Sequence, residues 1–175
     1  MLIVNYINRW LCSSIFLKDL QFTYDKVLFI RVNKESFRLI IQSQGNLNLN
    51  LDQLNSLCSL VGWDKRPLGK LKKVIIESFQ VFIISSTLSG AEELLGFARV
   101  TSDSAFFAVI WDFLIHPKFQ KRGLGTLLIL EIIKELKKKE IIHIFLFADI
   151  KAINFYKRIG FSSHLKTGKA MFWHP

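Results

Sequence analysis

The sequence predicts an α/β fold, α+β in its arrangement, and three observations carry that reading. Two apolar runs, Val81 to Ser85 and Leu95 to Val100, flank the turn-rich STLSGAEE and read as an antiparallel hairpin. Two amphipathic helical segments precede the hairpin. After it come a long strand, a turn with two glycines, a strongly apolar helix and a buried strand, an order that needs a crossover connection and so a parallel strand pair.

Taken in chain order, residues 1–45 alternate short apolar runs (Val27 to Ile30, Leu39 to Ile41) with polar residues and read as an N-terminal extension holding one or two strands. The Asn-rich GNLNLNLD closes them off, and residues 46–175 form the main domain. From Asn50, the positions Leu51, Leu54, Leu57, Cys58 and Val61 recur at helical spacing, with Gly62 where a C-terminal cap favours a left-handed residue. A second helix runs from Leu68 to Phe79 behind Pro67, with Leu71, Val74, Ile75 and Phe79 on one face. Phe106 to Ile115 is a strand whose polar residue, Asp112, implies a buried or cleft-facing carboxylate. Gly123 to Lys139 places Leu124, Leu128, Ile132 and Leu136 four apart, and its basic end suits the helix dipole. Ile141 to Phe147 is a buried strand, Lys151 to Arg158 a short helix and Met171 to Trp173 a last strand.

At 175 residues, half of them hydrophobic, the chain has the size and apolar content to bury one core without bridges or metal. Cys12 and Cys58 form no CxxC pair and have no histidines at ligand spacing, which argues against a disulfide framework or a zinc site. The net charge of +10 suits an anionic partner, but the aromatic residues sit in apolar stretches and do not interleave with arginines, so a nucleic-acid module is disfavoured. No apolar run approaches the ~20 residues needed to span a bilayer, so no membrane partner is expected. The N-terminus lacks a clear cleavage site and makes a poor signal peptide. Isoleucine occurs 21 times and alanine 7 times, a bias that fits an AT-rich genome such as that of a plastid or a low-GC bacterium.

The segment IHPKFQKRGLGT sets a strand end, a proline turn and two glycines before the apolar helix. A helix start offers unpaired backbone N–H groups, and glycine lets an anion come close, so a pyrophosphate fits there. A Rossmann dinucleotide site is the competing reading, with Asp149 near the distance of a ribose-binding carboxylate. Leu128 in the third glycine position, the eight-residue step from Ile115 to Gly123 and the lack of further βα units all disfavour it.

IHPKFQKRGLG resembles the Q/R-x-x-G-x-G motif of GNAT acetyltransferases, matched by Gln120, Gly123 and Gly125. NFYKRIGF resembles the C-terminal region of that family in shortened form, matched by Asn154, Phe155, Tyr156, Gly160 and Phe161. VGWDKRPL, GFARVTSD, AVIWDFLIHPKFQKRGLG, LFAD and MFWHP are similar to cyanobacterial and plastid serotonin N-acetyltransferase-like proteins, over about residues 48–175. The resemblance implies the acyl-CoA N-acyltransferase fold: a mixed, mostly antiparallel sheet with a splayed parallel strand pair and flanking helices. It implies acetyl-CoA as cosubstrate and no metal. Leu114 and Ile115 would contact the donor through their backbone, the amides of Gln120, Lys121, Arg122, Gly123, Leu124, Gly125 and Thr126 would cradle its pyrophosphate, and Asn154 would approach its pantetheine arm.

The implied reaction is direct attack of a primary amine on the thioester within a ternary complex, which requires no enzyme nucleophile. Tyr156 is then the general acid for the departing thiolate, and Asp149 a catalytic or amine-orienting carboxylate, although aspartate before a helix is also a good N-cap. Asp112 and His116 fall on one face of a regular strand and could assist amine deprotonation, with His116 reading more simply as a turn residue. An arylalkylamine such as serotonin is the first expected acceptor, with protein N-termini or lysines the alternative. A non-catalytic CoA-binding or basic nucleic-acid-associated module is the rival of another class. A dimer fits either reading. The expected compartment is the plastid stroma, with bacterial cytoplasm as the alternative.

Overall fold

The computed structural model describes residues 26–32, 35–45, 49–86 and 92–162. Cys12, most of the STLSGAEE turn and the expected strand at Met171 to Trp173 lie outside them. In chain order the elements are β1 (Lys26–Val32), β2 (Glu35–Ser43), α1 (Leu51–Leu60), α2 (Leu68–Ile76), β3 (Gln80–Ser86), β4 (Glu93–Ser102), β5 (Phe107–Ile115), α3 (Leu124–Lys138), β6 (His143–Leu146) and α4 (Ile153–Ile159). Short 3-10 turns at Pro117–Phe119 and Ile150–Ala152 precede α3 and α4. The six strands form one sheet in the order β1-β2-β3-β4-β5-β6, antiparallel throughout except for the parallel pair β5 and β6.

Strand alternation sorts the core into two layers. Leu39, Ile41, Phe82 and Ile84 turn to α3, where Leu124, Leu128, Ile132 and Leu136 present their four-residue stripe fully buried. Ile40, Val81 and Ile83 turn to α1 and α2, against Leu54, Leu57, Leu71 and Ile75. Asn50 caps α1 through its side-chain oxygen, which accepts from the N–H groups of Asp52 and Gln53, each at 3.0 Å. α2 ends at Ile76, before the expected Phe79, because Phe79 packs with the α3 layer on the far side of the sheet and the chain must leave the helix to deliver it. β6 starts at His143 because Ile141 closes α3 instead. Glu140 turns left-handed (φ 62°) and the Ile141 N–H returns to Leu136 O at 3.1 Å.

β1 and β2 continue the sheet beyond β3. Lys26 on β1 and Lys138 both pair with Glu135, which ties this edge of the sheet to α3.

β5 is not regular. Phe97 pairs with Leu114 and Arg99 with Trp111, so β5 carries one residue more than β4 between these pairs. Asp112 takes a positive φ of 52° inside this bulge. Alternation restarts one residue out of step: Ala108 and Ile110 face α3 before the bulge, Phe113 and Ile115 after it. Asp112 therefore leaves the α3 face and is not brought together with His116, which corrects the regular-strand expectation. His116 caps the 3-10 turn that follows, its Nδ1 accepting from the Lys118 N–H at 3.2 Å.

Two arginines hold the bulge. Arg66, from the loop between α1 and α2, grips Asp112 with both terminal nitrogens at 2.8 and 2.7 Å, and Arg99 Nε donates to the same carboxylate at 2.6 Å. The backbone of Arg66 is itself fixed by Asn55, which donates to Arg66 O at 2.9 Å and accepts from its N–H at 3.1 Å. Burial acts to raise the Asp112 carboxyl, but hydrogen bonds from Arg66 and Arg99 outweigh it and hold the group below its usual value.

A carboxyl with a depressed folded value contributes stability that is complete above the unfolded value of about 3.9 and is lost as pH falls through the folded one. Asp112→Asn keeps the shape and tolerates the positive φ, so it isolates the charge. It should cost roughly 3 kcal/mol at neutral pH, the low end for a broken buried pair because Arg66 reaches solvent. In urea unfolding the gap between Asp112→Asn and the parent should narrow below about pH 4. A gap independent of pH would show that charge is not what holds the bulge.

Candidate active site

Pairing between β5 and β6 stops at Ile110 and Leu146, while β4 follows β5 as far as Ile115. Residues 111–115 therefore keep one edge free of β6, and a cavity of about 890 Å³ opens where the two strands part. β5 forms one wall. Phe147, Asp149, Phe155 and Tyr156 form the other, the loop bearing Val61, Trp63 and Arg66 lies over one end, and the start of α3 closes the other.

That helix start leaves its first amides uncapped. Gly123 caps α3 in the left-handed region (φ 95°), and no side chain caps the helix. Leu127 N–H to Gly123 O, at 3.0 Å, is the first return of the helix, so the N–H groups of Leu124, Gly125 and Thr126 have no partner within it. Their partial positive charge is the positive end of the helix dipole. A Cβ on Gly125 would lie 3.6 Å from the Phe155 ring and 3.7 Å from Ile115 Cγ1. The glycine thus leaves open the gap between the walls, which a longer side chain would bridge. Gln120 Nε2 donates to Ile115 O at 2.9 Å and fastens the turn to the end of β5.

The residues expected to meet the donor do not all face this space. Leu114, Ile115, Gln120, Lys121, Gly123, Gly125 and Thr126 line the cavity. The Leu124 side chain is fully buried in the core, so only its amide is on offer. Arg122 turns away to Glu35 at 3.5 Å, with its guanidinium 5.1 Å from the Phe119 ring centre, and lines a separate space of about 250 Å³. Asn154 is exposed on α4 outside the cavity lining.

Tyr156 is buried in an edge-to-face cage, with ring centres 5.0 Å from Phe155, 5.8 Å from Phe161 and 5.9 Å from Phe113. Burial first, and the negative charge of Asp149 second, push its hydroxyl up to about 12, so it keeps its proton at neutral pH. Asp149 sits at the N-cap position of the 150–152 turn, but its side chain makes no capping bond; its backbone O accepts from the Ala152 N–H at 2.8 Å instead. The carboxylate is exposed on the cavity wall and makes no ion pair among the described residues.

Cys58 is buried in the α1 layer, outside the cavity lining, with its thiol pushed up by burial, so it is no candidate nucleophile. Sequence reasoning missed Arg66, Trp63 and Trp111. One signal was available: a buried aspartate in an apolar run needs a cation, and Arg99 within GFARV sits where only a paired arginine is tolerated.

Residues 50–161 match the model of the Acetyltransferase (GNAT) family. Among relatives, the chain is 41% identical over 152 residues to an uncharacterized N-acetyltransferase, ycf52, of Gracilaria tenuistipitata var. liui, covering 86% of this chain and 84% of the relative. It is 36% identical over 152 residues to GCN5-related N-acetyltransferase 2, chloroplastic, of Arabidopsis thaliana, covering 78% and 58%. Among solved structures, a probable acetyltransferase from Staphylococcus aureus superposes with a TM-score of 0.63 at 18% identity, over 78% of this chain and 99% of that one, a likeness that speaks for the fold. The family match runs from the cap of α1 to just beyond α4 and so takes in every wall of the cavity, and the chain accordingly belongs to the GNAT family and is an N-acetyltransferase.

Proposed function

We propose that this protein transfers acetyl from acetyl-CoA to the primary amine of an aromatic acceptor, by direct attack in a ternary complex, with Tyr156 as general acid and Asp149 holding the amine. The observation that carries this reading is the meeting, in one cavity, of three features: a protonated buried tyrosine, a carboxylate without an ion pair among the described residues, and the free amides of a helix start. GNAT enzymes draw the acetyl group from acetyl-CoA as its thioester, and the residues here suit that donor. The amides of Leu124, Gly125 and Thr126, with Lys121 beside them, suit a pyrophosphate. Leu114 and Ile115 lie on the stretch of β5 that β6 leaves unpaired, where an extended arm has backbone groups to meet. Gln120 braces that end of the strand, the Arg122 amide belongs to the same turn although its side chain points to Glu35, and Asn154 stands on α4 next to Phe155 of the lining.

Asp149 draws the acceptor's ammonium to the mouth of the cleft, where it gives a proton to solvent water so that the amine lone pair can bond to the thioester carbon. As the carbon–sulfur bond breaks, the Tyr156 hydroxyl gives its proton to the departing sulfur. Asp112 is unsuited as base, because both its oxygens are committed to arginines that hold it ionised and weakly basic. Trp63, Trp111 and Phe147 line the acceptor end, Trp111 and Phe147 with ring centres 5.3 Å apart, which suits an arylalkylamine such as serotonin. The chloroplastic relative and the isoleucine-rich, alanine-poor composition support the plastid stroma as the working compartment.

Three outcomes follow. Acetyl incorporation across a panel of arylalkylamines, peptide N-termini and lysine peptides should favour the arylalkylamines, and turnover of peptides alone would overturn the aromatic acceptor. Gly125→Val should weaken acetyl-CoA binding by about tenfold or more in calorimetry, whereas Gly125→Ala, whose Cβ fits, should not. Equal affinities for the two folded variants would remove the donor from this gap. Tyr156→Phe should retain folding and donor affinity yet lower kcat by ~100-fold or more, whereas Asp149→Asn should act mainly on the KM for the amine. Near-native turnover by a folded Tyr156→Phe enzyme would assign the proton to water or another group.

A further inference from the structure

Two guanidinium groups share one carboxylate at the bulge. Arg66 and Arg99 both bind Asp112, which leaves an excess positive charge at the acceptor end of the cavity. Arg99 is the rear member: its side chain is 14% exposed, and its guanidinium lies 5.6 Å from the Trp111 ring centre. Arg66 is the front member, 39% exposed and part of the cavity lining. A cation with less than its share of counter-charge in a partly desolvated site is costly, and an anion entering the cavity relieves that cost. The cavity's remaining carboxylate, Asp149, stands on the opposite wall beside Tyr156. The lining therefore carries a carboxylate on the wall that holds Tyr156, a guanidinium in the loop over one end, and the rings of Trp63 and Trp111.

We propose that Arg66, backed by Arg99, determines acceptor specificity by binding a carboxylate that the acceptor carries in addition to its amine. The acceptor is then an aromatic amine of the amino-acid type, its ammonium toward Asp149 and its carboxylate toward Arg66. This specificity narrows the aromatic-amine class proposed above to its carboxylate-bearing members, with serotonin and tryptamine the poorer acceptors, and rests on that reading. Arg66 is already ordered for such a contact. Its backbone is fixed at both N–H and C=O by Asn55, and its fork is oriented by Asp112, so little freedom remains to be lost on binding. Both terminal nitrogens already donate to Asp112, so an incoming carboxylate meets the N–H groups the fork leaves over, a multi-donor contact that a lysine ammonium reproduces only in part. A free aromatic amino acid and a peptide with an acidic residue beside its amine present the same chemistry, and the test separates them.

The full-length enzyme, with acetyl-CoA, is assayed on tryptamine against tryptophan, and on peptide amines with and without an acidic neighbour. The parent should use the carboxylate-bearing member of one pair at least about tenfold more efficiently in kcat/KM, and the pair that shows this identifies the source. In Arg66→Gln the ratio within that pair should fall toward one, while Arg66→Lys should retain part of it. Equal use by the parent within both pairs, or a preference that survives Arg66→Gln, overturns the proposal. A second readout needs no turnover: indole propionate, which has the ring and carboxylate without the amine, should bind the parent in calorimetry and bind folded Arg66→Gln about tenfold more weakly. Failure of the parent to bind it overturns the proposal for a small acceptor even if amines are acetylated. Binding without acetylation of any aromatic amine instead strikes down the aromatic-amine reading and leaves the carboxylate site standing.

Discussion

The grip of Arg66 and Arg99 on Asp112 is the constraint on which the working half of the molecule depends. A bulge in the middle of a sheet forfeits ladder bonds and here holds a non-glycine residue at positive φ, neither of which persists without compensation. The two arginines supply that compensation and spread it over three elements, because they come from the α1–α2 loop and from β4 while the carboxylate belongs to β5. The single extra residue then turns Phe113 and Ile115 toward α3 and α4, where Phe113 meets the Tyr156 ring. One ion cluster thereby sets the register of the β5 wall and the cage of Tyr156 together.

The parallel pair explains why the free amides of α3 and the Tyr156 ring open onto one cavity. A strand followed by a crossover helix and a parallel strand delivers the start of the helix to the carboxyl end of the first strand. β5 and β6 share only four paired positions before they part, so the start of α3 opens onto a gap and not onto a closed sheet. α4 follows β6 through a single short turn, which leaves Phe155 and Tyr156 level with that gap.

Much of the fold was legible in the sequence because periodicity reports burial directly. The stripe of Leu124, Leu128, Ile132 and Leu136 is the stripe that α3 buries, and Asn50 and Gly62 bracket α1 where their chemistry requires. What the sequence withheld was the site's irregularity. Asp112 stands out as a carboxylate in an apolar strand, but period-two counting has no means of registering an inserted residue, so it groups Asp112 with His116 on a face the bulge abolishes. The partners of Asp112 were hidden for another reason: Arg66 lies 46 positions away, and pairing over that distance is decided by tertiary packing. The glycine motif is local, and the left-handed cap at Gly123 with α3 starting at Leu124 follows from it directly. Even so, it could not tell that Arg122 would turn away from the cleft, since that depends on a strand far upstream.

That strand alters how the edges of the enzyme are drawn. Arg122 meets Glu35, the Phe119 ring stands edge-on to Phe37 at 6.2 Å, and Val32 comes within 3.7 Å of where a side chain on Gly123 would begin. All three supporting residues belong to β1 and β2, ahead of the stretch that defines the family. The turn before α3 is thus a lintel whose masonry comes from strands ahead of the family-model match. A chain trimmed to residues 50–161 would retain the motif intact and lose the buttress behind it, so the stretch that carries the signature is smaller than the unit that bears the mechanical load.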